Sequence, residues 1–238
     1  MMLQKLIARL RGRPLNSPHA EAASELPEPL SFAQAGNWEH NRLVVVDLET
    51  SGLNLNKDIV LAIGAVAVNH GRIDLADQFE SVLAQPAGRP GESLLIHGLG
   101  PDALEQGQPP EEALLSFLRW AGDAVFVAFH APFDQRMLQR ALQDHLSLDR
   151  KPHWLDLADV MPALFPDAKV EGGQLDPWVA HFGLNVAERH NASADALVTA
   201  ELMLIAMHAA RRQGIIDLAG LERKARLTRQ LRAQRHRF

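Results

Sequence analysis

Asp47 and Glu49 stand two residues apart in the apolar run LVVVDLET. Side chains alternate faces along a strand, so an extended run puts both carboxylates on one side and Leu48 on the other. Two like charges in one small volume repel unless a cation shares them, and oxygen-only ligands favour hard ions such as Mg²⁺ or Mn²⁺. A D-x-E pair by itself is a weak pointer, because strand ends often carry acids. Asp134 lies in VAFHAPFDQRML, one turn inside a helix predicted to follow an apolar strand. That is the carboxyl end of a strand, where open α/β sheets form ligand crevices. Asp195 falls in the first turn of a helix predicted from ERHNASADALVTAELML, with Asn191 or Ser193 as candidate cap. His190 precedes it by five residues on the irregular lead-in, where an imidazole is freer to move than one packed in mid-helix. Taken singly, Asp134 and Asp195 read as first-turn acids facing a helix dipole and His190 as a surface residue. Their combination carries the weight.

The elements that must position these groups start near Arg42. LVVVDLE predicts a buried strand, and IVLAIGAVAVNHG with RIDLADQFESVL predicts a hairpin turning near His70 and Gly71. Helices are expected over 101–106 and 110–121, then a strand in AVFVAF, a helix from Pro132 to about His145, and a strand in HWLDL. Further helices follow over 157–164, 174–182 and 193–211. Strands first and then alternating β and α predict an α/β fold, a mixed sheet flanked by helices. Four prolines in residues 14–40, without sustained periodicity, mark a linker or strap. The expected organisation is an N-terminal extension over 1–40, a catalytic domain over 41–212, and a basic C-terminal helix over 213–238. The start, MMLQKLIARLRGR, lacks the features of a secretory signal and reads as a frayed terminus or a short surface-seeking helix.

With 238 residues, 47% of them hydrophobic, the chain can bury one sizeable core. It has no cysteine, which excludes disulfides, thiolate zinc sites and cysteine nucleophiles, and fits a reducing, cytoplasmic location. The longest run of apolar residues and Gly, Ile59 to Val68, is too short to cross a bilayer, so no membrane span is expected. The net charge of −5 hides an asymmetry: residues 211–238 hold nine Lys/Arg against two acids, leaving fifteen against twenty-seven in residues 1–210. A basic tail suits phosphates and an acidic body suits cations, although a solvated helix face explains the tail equally well. H-E-x-x-H, P-loop and G-x-S-x-G patterns are missing, which removes the common zinc-protease, NTPase and serine-hydrolase readings.

D-L-E-T-x-G, then F-D after an apolar strand, then H-x4-D opening a late helix, resembles the DnaQ-like (DEDDh) 3′-5′ exonucleases over about Arg42 to Ala210. That group includes the proofreading epsilon subunit of bacterial replicative polymerases. IHGLGPDAL resembles the family's I/V-H-G-I-T segment, and Gln174-Leu175-Asp176 before an F-G-L turn resembles its S-L-D-x-L stretch. A sister subclass has tyrosine in place of the histidine, and this chain has no tyrosine.

The resemblance implies a ribonuclease-H-like five-stranded sheet. It also implies a two-metal hydrolysis in which Asp47, Glu49, Asp134 and Asp195 bind two Mg²⁺ or Mn²⁺ ions and His190 is the general base. Thr50, Ile96, His97 and Phe133 match positions that hold the terminal nucleotide. Implied partners are nucleic acid 3′ ends, single-stranded DNA before RNA, and a DNA polymerase. An RNA-trimming exoribonuclease and a non-catalytic nucleic-acid-binding or polymerase-accessory module are the alternatives. One departure stands out: the family's H-N-A-x-F-D reads Phe129-His130-Ala131-Pro132-Phe133-Asp134 here, which bears on substrate preference more than on catalysis.

Gln143 to Leu148 weakly resembles a sliding-clamp-binding peptide but lacks the closing aromatic residue. His153, His181 and His208 read as core or surface histidines, and Trp120, Trp154 and Trp178 as core.

Overall fold

The alternation in LVVVDLET decides what each face of the sheet holds. The computed structural model describes residues 22–23, 25–85, 99–170, 173–186 and 191–235. Five strands form one mixed sheet in the order β3-β2-β1-β4-β5, with β1 (Arg42–Thr50) at its centre. β2 (Val60–Asn69) and β3 (Arg72–Val82) extend it antiparallel, while β4 (Val125–Ala128) and β5 (Trp154–Asp156) continue it parallel to β1. His70 and Gly71 connect β2 to β3 with φ of 53° and 71°, the positive values a two-residue hairpin turn requires.

Val44, Val46 and Leu48 of β1 pack against α3 (Pro110–Ala121) and α4 (Ala131–Ala141) through Leu114, Phe117, Met137 and Leu138. Leu43 and Val45 face the opposite core, built by α5 (Leu157–Leu164), α6 (Leu175–His181), α7 (Ala192–Arg212) and α8 (Leu218–Arg235). Each large side chain buried there contributes about 1.5–3 kcal/mol of transfer free energy. The helix-flanked α/β sheet is the one the sequence predicts. α7 is long and apolar enough to cross a membrane by length and composition, but Val198, Leu202, Met203 and Ala206 are used in packing against the sheet.

Two short helices complete the set, α1 (Phe32–Ala35) and α2 (Pro101–Glu105). (In chain order α1 precedes β1 and α2 follows β3.) The proline-rich strap is tied down: Leu26, Ala35 and Trp38 are buried, and the Leu218 N–H donates to Gly36 O at 3.2 Å. Leu218, Leu221 and Ala225 seat the first half of α8 in the same core as Trp38.

The helix starting near Pro132 ends earlier than its pattern suggests. It passes at Ala141 into a π-helical turn, Leu142–Leu146, and Ser147 closes it in the left-handed region. Leu142 and Leu146 are buried, so the leucines of the clamp-like segment are core residues. Trp178 is buried, and Trp120 and Trp154 pack against the α3 and α4 side. His153, His181 and His208 are exposed.

Gly64 of β2 lies directly opposite Asp47. A Cβ on Gly64 would sit 2.2–2.5 Å from backbone atoms of Ala192 and Ser193. Only glycine lets the first turn of α7 rest on the strand here, which explains a small residue inside a β-branched run. Gly64→Ala should cost about 1–3 kcal/mol by overpacking. Thermal unfolding checks this, and an unchanged Tm would refute the close contact.

At the other end of β1, Arg42 donates to both oxygens of Asp77 on β3, and Asn69 and Trp120 add donors at 2.8 and 2.9 Å. The Arg42 guanidinium also lies 4.7 Å above the Trp120 ring. Chiefly through the Arg42 bond, the Asp77 carboxyl is held down to about 2 from the ordinary 3.8. A folded-state value below the unfolded one contributes stability at pH above about 4, and the contribution disappears as pH falls toward 2. The stability gap between wild type and Asp77→Asn should therefore be full at pH 7 and shrink between pH 4 and pH 2, as urea melts would show.

Candidate active site

Asp47 and Glu49 continue the face of β1 that carries Leu43 and Val45, so they point toward α7 rather than α3 and α4. The bare backbone of Gly64 brings the start of α7 down beside them. Asn191 caps that helix by accepting from the Ala194 N–H at 3.0 Å, which fixes the first turn and the direction of Asp195. One carboxylate oxygen each from Asp47, Glu49 and Asp195 lie within 4.8 Å of one another. Glu49 and Asp195 are buried and Asp47 is half-buried. Three oxygens in this space suit a hard divalent cation.

Asp134 approaches from the other side. β4 pairs with β1 from Leu43 to Val45, and among the described residues no strand pairs with β1 beyond that point on this edge. α4 fills the place, and the Leu48 backbone donates to the buried Asp134 carboxylate. Burial, and then the negative charge of Asp47, push the Asp134 carboxyl well above the usual carboxylate range. A cation among these acids would act in the opposite direction.

The loop after β1 holds the pair in place. Pairing slips between Glu49 and Thr50, which match Ala62 and Val60, so the strand carries a bulge beside the acids. Thr50 Oγ1 donates to Gly52 O at 2.8 Å, and Asp58 accepts from Ser51 Oγ and from the Asn54 N–H at 3.0 and 2.7 Å. A Cβ on Gly52 would lie 2.6 Å from the Asp58 carboxylate, which accounts for the glycine in D-L-E-T-x-G. Phe133 is half-buried against the core shared with Leu55.

The departure at Phe129-His130 has a local explanation. His130 precedes α4 with φ 67° and ψ 43°, a left-handed conformation that asparagine, aspartate and histidine adopt more readily than other non-glycine residues. Its N–H donates to Asp156 Oδ1 at 3.0 Å, and the same oxygen accepts from the Ala158 N–H, capping α5. Burial raises the Asp156 carboxyl. Asp156 thus links the start of α4, which carries Asp134, to the end of β5.

The structure brings Asp47, Glu49 and Asp195 together, sets Asp134 against Asp47, and places Thr50 and Phe133 in the adjoining elements. Ile96, His97 and His190 lie outside the described residues. Sequence reasoning missed Gly64 and Asp156. A glycine within a β-branched strand and an acid between a strand and a helix were the available signs.

Residues 44–203 match the RNase T family model, described as an exonuclease. The chain is 30% identical over 186 residues to the PolC-type DNA polymerase III of Thermotoga petrophila and 30% identical over 180 residues to that of Bacillus subtilis. These alignments cover 78% and 74% of this chain but only 13% and 12% of those polymerases, so the chain spans about an eighth of their length. Among solved structures, E. coli exonuclease I in complex with a dT13 oligonucleotide matches with a TM-score of 0.63 and 14% identity, covering 73% of this chain and 42% of that one. Exonuclease X in complex with 5′ overhanging duplex DNA matches at 0.55 and 21%, covering 71% and 93%. At such identities these likenesses speak for the ribonuclease-H-like fold. The family match alone spans most of the folded domain and makes the assignment: the chain belongs to this exonuclease family, in keeping with the DnaQ-like motifs of its sequence.

Proposed function

We propose that this exonuclease degrades single-stranded nucleic acid, DNA before RNA, and releases nucleoside 5′-monophosphates. The observation that carries the reading is the gathering of Asp47, Glu49 and Asp195 within 4.8 Å. In the proposal these acids hold two divalent cations, Mg²⁺ or Mn²⁺, and Asp134 completes the set. Such ions, when bound, supply the charge that polarises a scissile phosphate and acidifies the attacking water. His190, just before the Asn191 cap, takes the proton from that water. Thr50, Ile96, His97 and Phe133 hold the terminal nucleotide, with the Phe133 ring as an apolar wall. Association with a DNA polymerase and a cytoplasmic location complete the proposal. The polymerase association rests on what the PolC-type relatives are named.

The test is release of nucleotides from 5′-labelled single-stranded DNA and RNA with Mn²⁺, Mg²⁺ or EDTA. A ladder shortening from the 3′ end, lost in EDTA, is expected. Asp47→Ala should lower the rate by roughly a thousandfold, about 4 kcal/mol of barrier, and His190→Ala by about 10²–10⁴. Full activity of Asp47→Ala would overturn the metal assignment.

α8 bears on binding. Deleting it would remove Leu218, Leu221 and Ala225 and uncover the core they cover, so charge substitutions are the cleaner probe. Arg223 is exposed and Lys224 half-exposed on this helix. If both meet phosphates, Arg223→Gln with Lys224→Gln should flatten the dependence of log K on log salt by about 0.7 per lost contact on a single strand. An unchanged slope would remove α8 from the binding surface.

A further inference from the structure

At the β5 edge of the sheet, beside the start of α4, lies a cleft of about 210 Å³ that the chemistry above does not use. Its walls come from α4, from β5, and from two segments outside the family match, the strap and α8. Phe32, Pro132 and Trp154 supply flat apolar surface, and Gln135, Arg226 and Arg229 supply polar groups. Pro132 and Gln135 line it from the same turns of α4 that carry Phe133 and Asp134. Asp156, which holds the His130 N–H, lines it from β5. The helix start that lines the cleft therefore also carries one of the four acids, Asp134.

The charges decide what fits. Arg229 is bonded to Asp159 at 2.6 Å and Arg226 lies 3.5 Å from Glu222, so the cations already face acids of the same cleft. Three acids, Asp156, Asp159 and Glu222, stand against those two arginines. A phosphate would enter a lining with no positive excess, whereas a neutral ring meets aromatic faces, an amide and carboxylate acceptors. The volume is below that of a typical small-molecule site, which suits a single ring system.

We infer that this cleft receives one nucleobase of the substrate strand, upstream of the 3′ terminus, and prefers bases with an exocyclic amine. The phosphates of that strand stay outside in solvent, and the base stacks between Phe32 and Trp154 with its amine directed to the Asp159 side. This rests on the exonuclease reading and adds a base contact to which the strap and α8, both outside the family match, contribute.

Binding of 5′-labelled 12-mers whose last linkages are phosphorothioates, blocking hydrolysis, tests it by fluorescence anisotropy. A single abasic site is moved through the last eight positions. Wild type should show one interior position where the abasic site weakens binding about tenfold, the size of one lost stacking contact. At that position dA or dC should bind more tightly than dT. Gln135→Trp, which fills the cleft, and Phe32→Ala, which removes one wall, should bind intact and abasic strands equally well. Thermal melts report whether both variants fold, and if one does not, the other and the wild-type base series decide. A flat scan in wild type, or equal sensitivity in wild type and folded variants, overturns the inference. Degradation of unmodified strands by wild type is read separately, so loss of the base contact and loss of exonuclease function are distinguished.

Discussion

Three carboxylates whose oxygens lie within 4.8 Å of one another repel, and a fourth, Asp134, is buried beside them. At an effective dielectric near 20, like charges about 4 Å apart repel by roughly 4 kcal/mol. The cost is met by elements held rigidly from both sides. β1 lies at the centre of the sheet with a core on each face, and it cannot rotate its acids away without exposing one set of valines. α7 cannot lift Asp195 away without leaving the Gly64 backbone and breaking its Asn191 cap. The fold places charges where a cation has the most to stabilise.

The supporting contacts at the site end differ in kind from those at the opposite end of β1. Near the acids the chain uses a bulge, a capped helix start and glycines that permit close approach. At Arg42 it uses a polar network in which Asp77 accepts from Arg42, Asn69 and Trp120. The first arrangement gathers carboxylates around a space suited to a cation, and the second uses its carboxylate to join β1, β2, β3 and α3.

Much of this was legible in the residues. The D-x-E spacing put Asp47 and Glu49 on one face because strand geometry permits nothing else. From Arg42 onward periodicity matched the described helices and strands to within a few positions, whereas the short helix Phe32–Ala35 in the strap had no periodic signal. The sequence pattern could not show that α4 stops at Ala141, since Leu142 and Leu146 keep a helical apolar spacing through the π turn. Nor could it show that α8 is half core, because its arginines and the exposed Leu227 and Leu231 hide the short stripe of Leu218, Leu221 and Ala225. Gly64 escaped notice because its role depends on a helix more than a hundred residues away. The Phe129-His130 departure looked like a change in substrate contact. Its backbone shows a demand for positive φ that histidine meets as asparagine does.

The bridge between Asn37 and Asp217, with the Leu218 N–H on Gly36 O, has a topological meaning. It brings the chain back to the point where it entered the sheet, so everything between forms a closed excursion. Such a unit can be spliced into a longer polypeptide at one surface location without pulling its core apart. Relatives in which the matching stretch is about an eighth of the protein are the setting in which that closure would count.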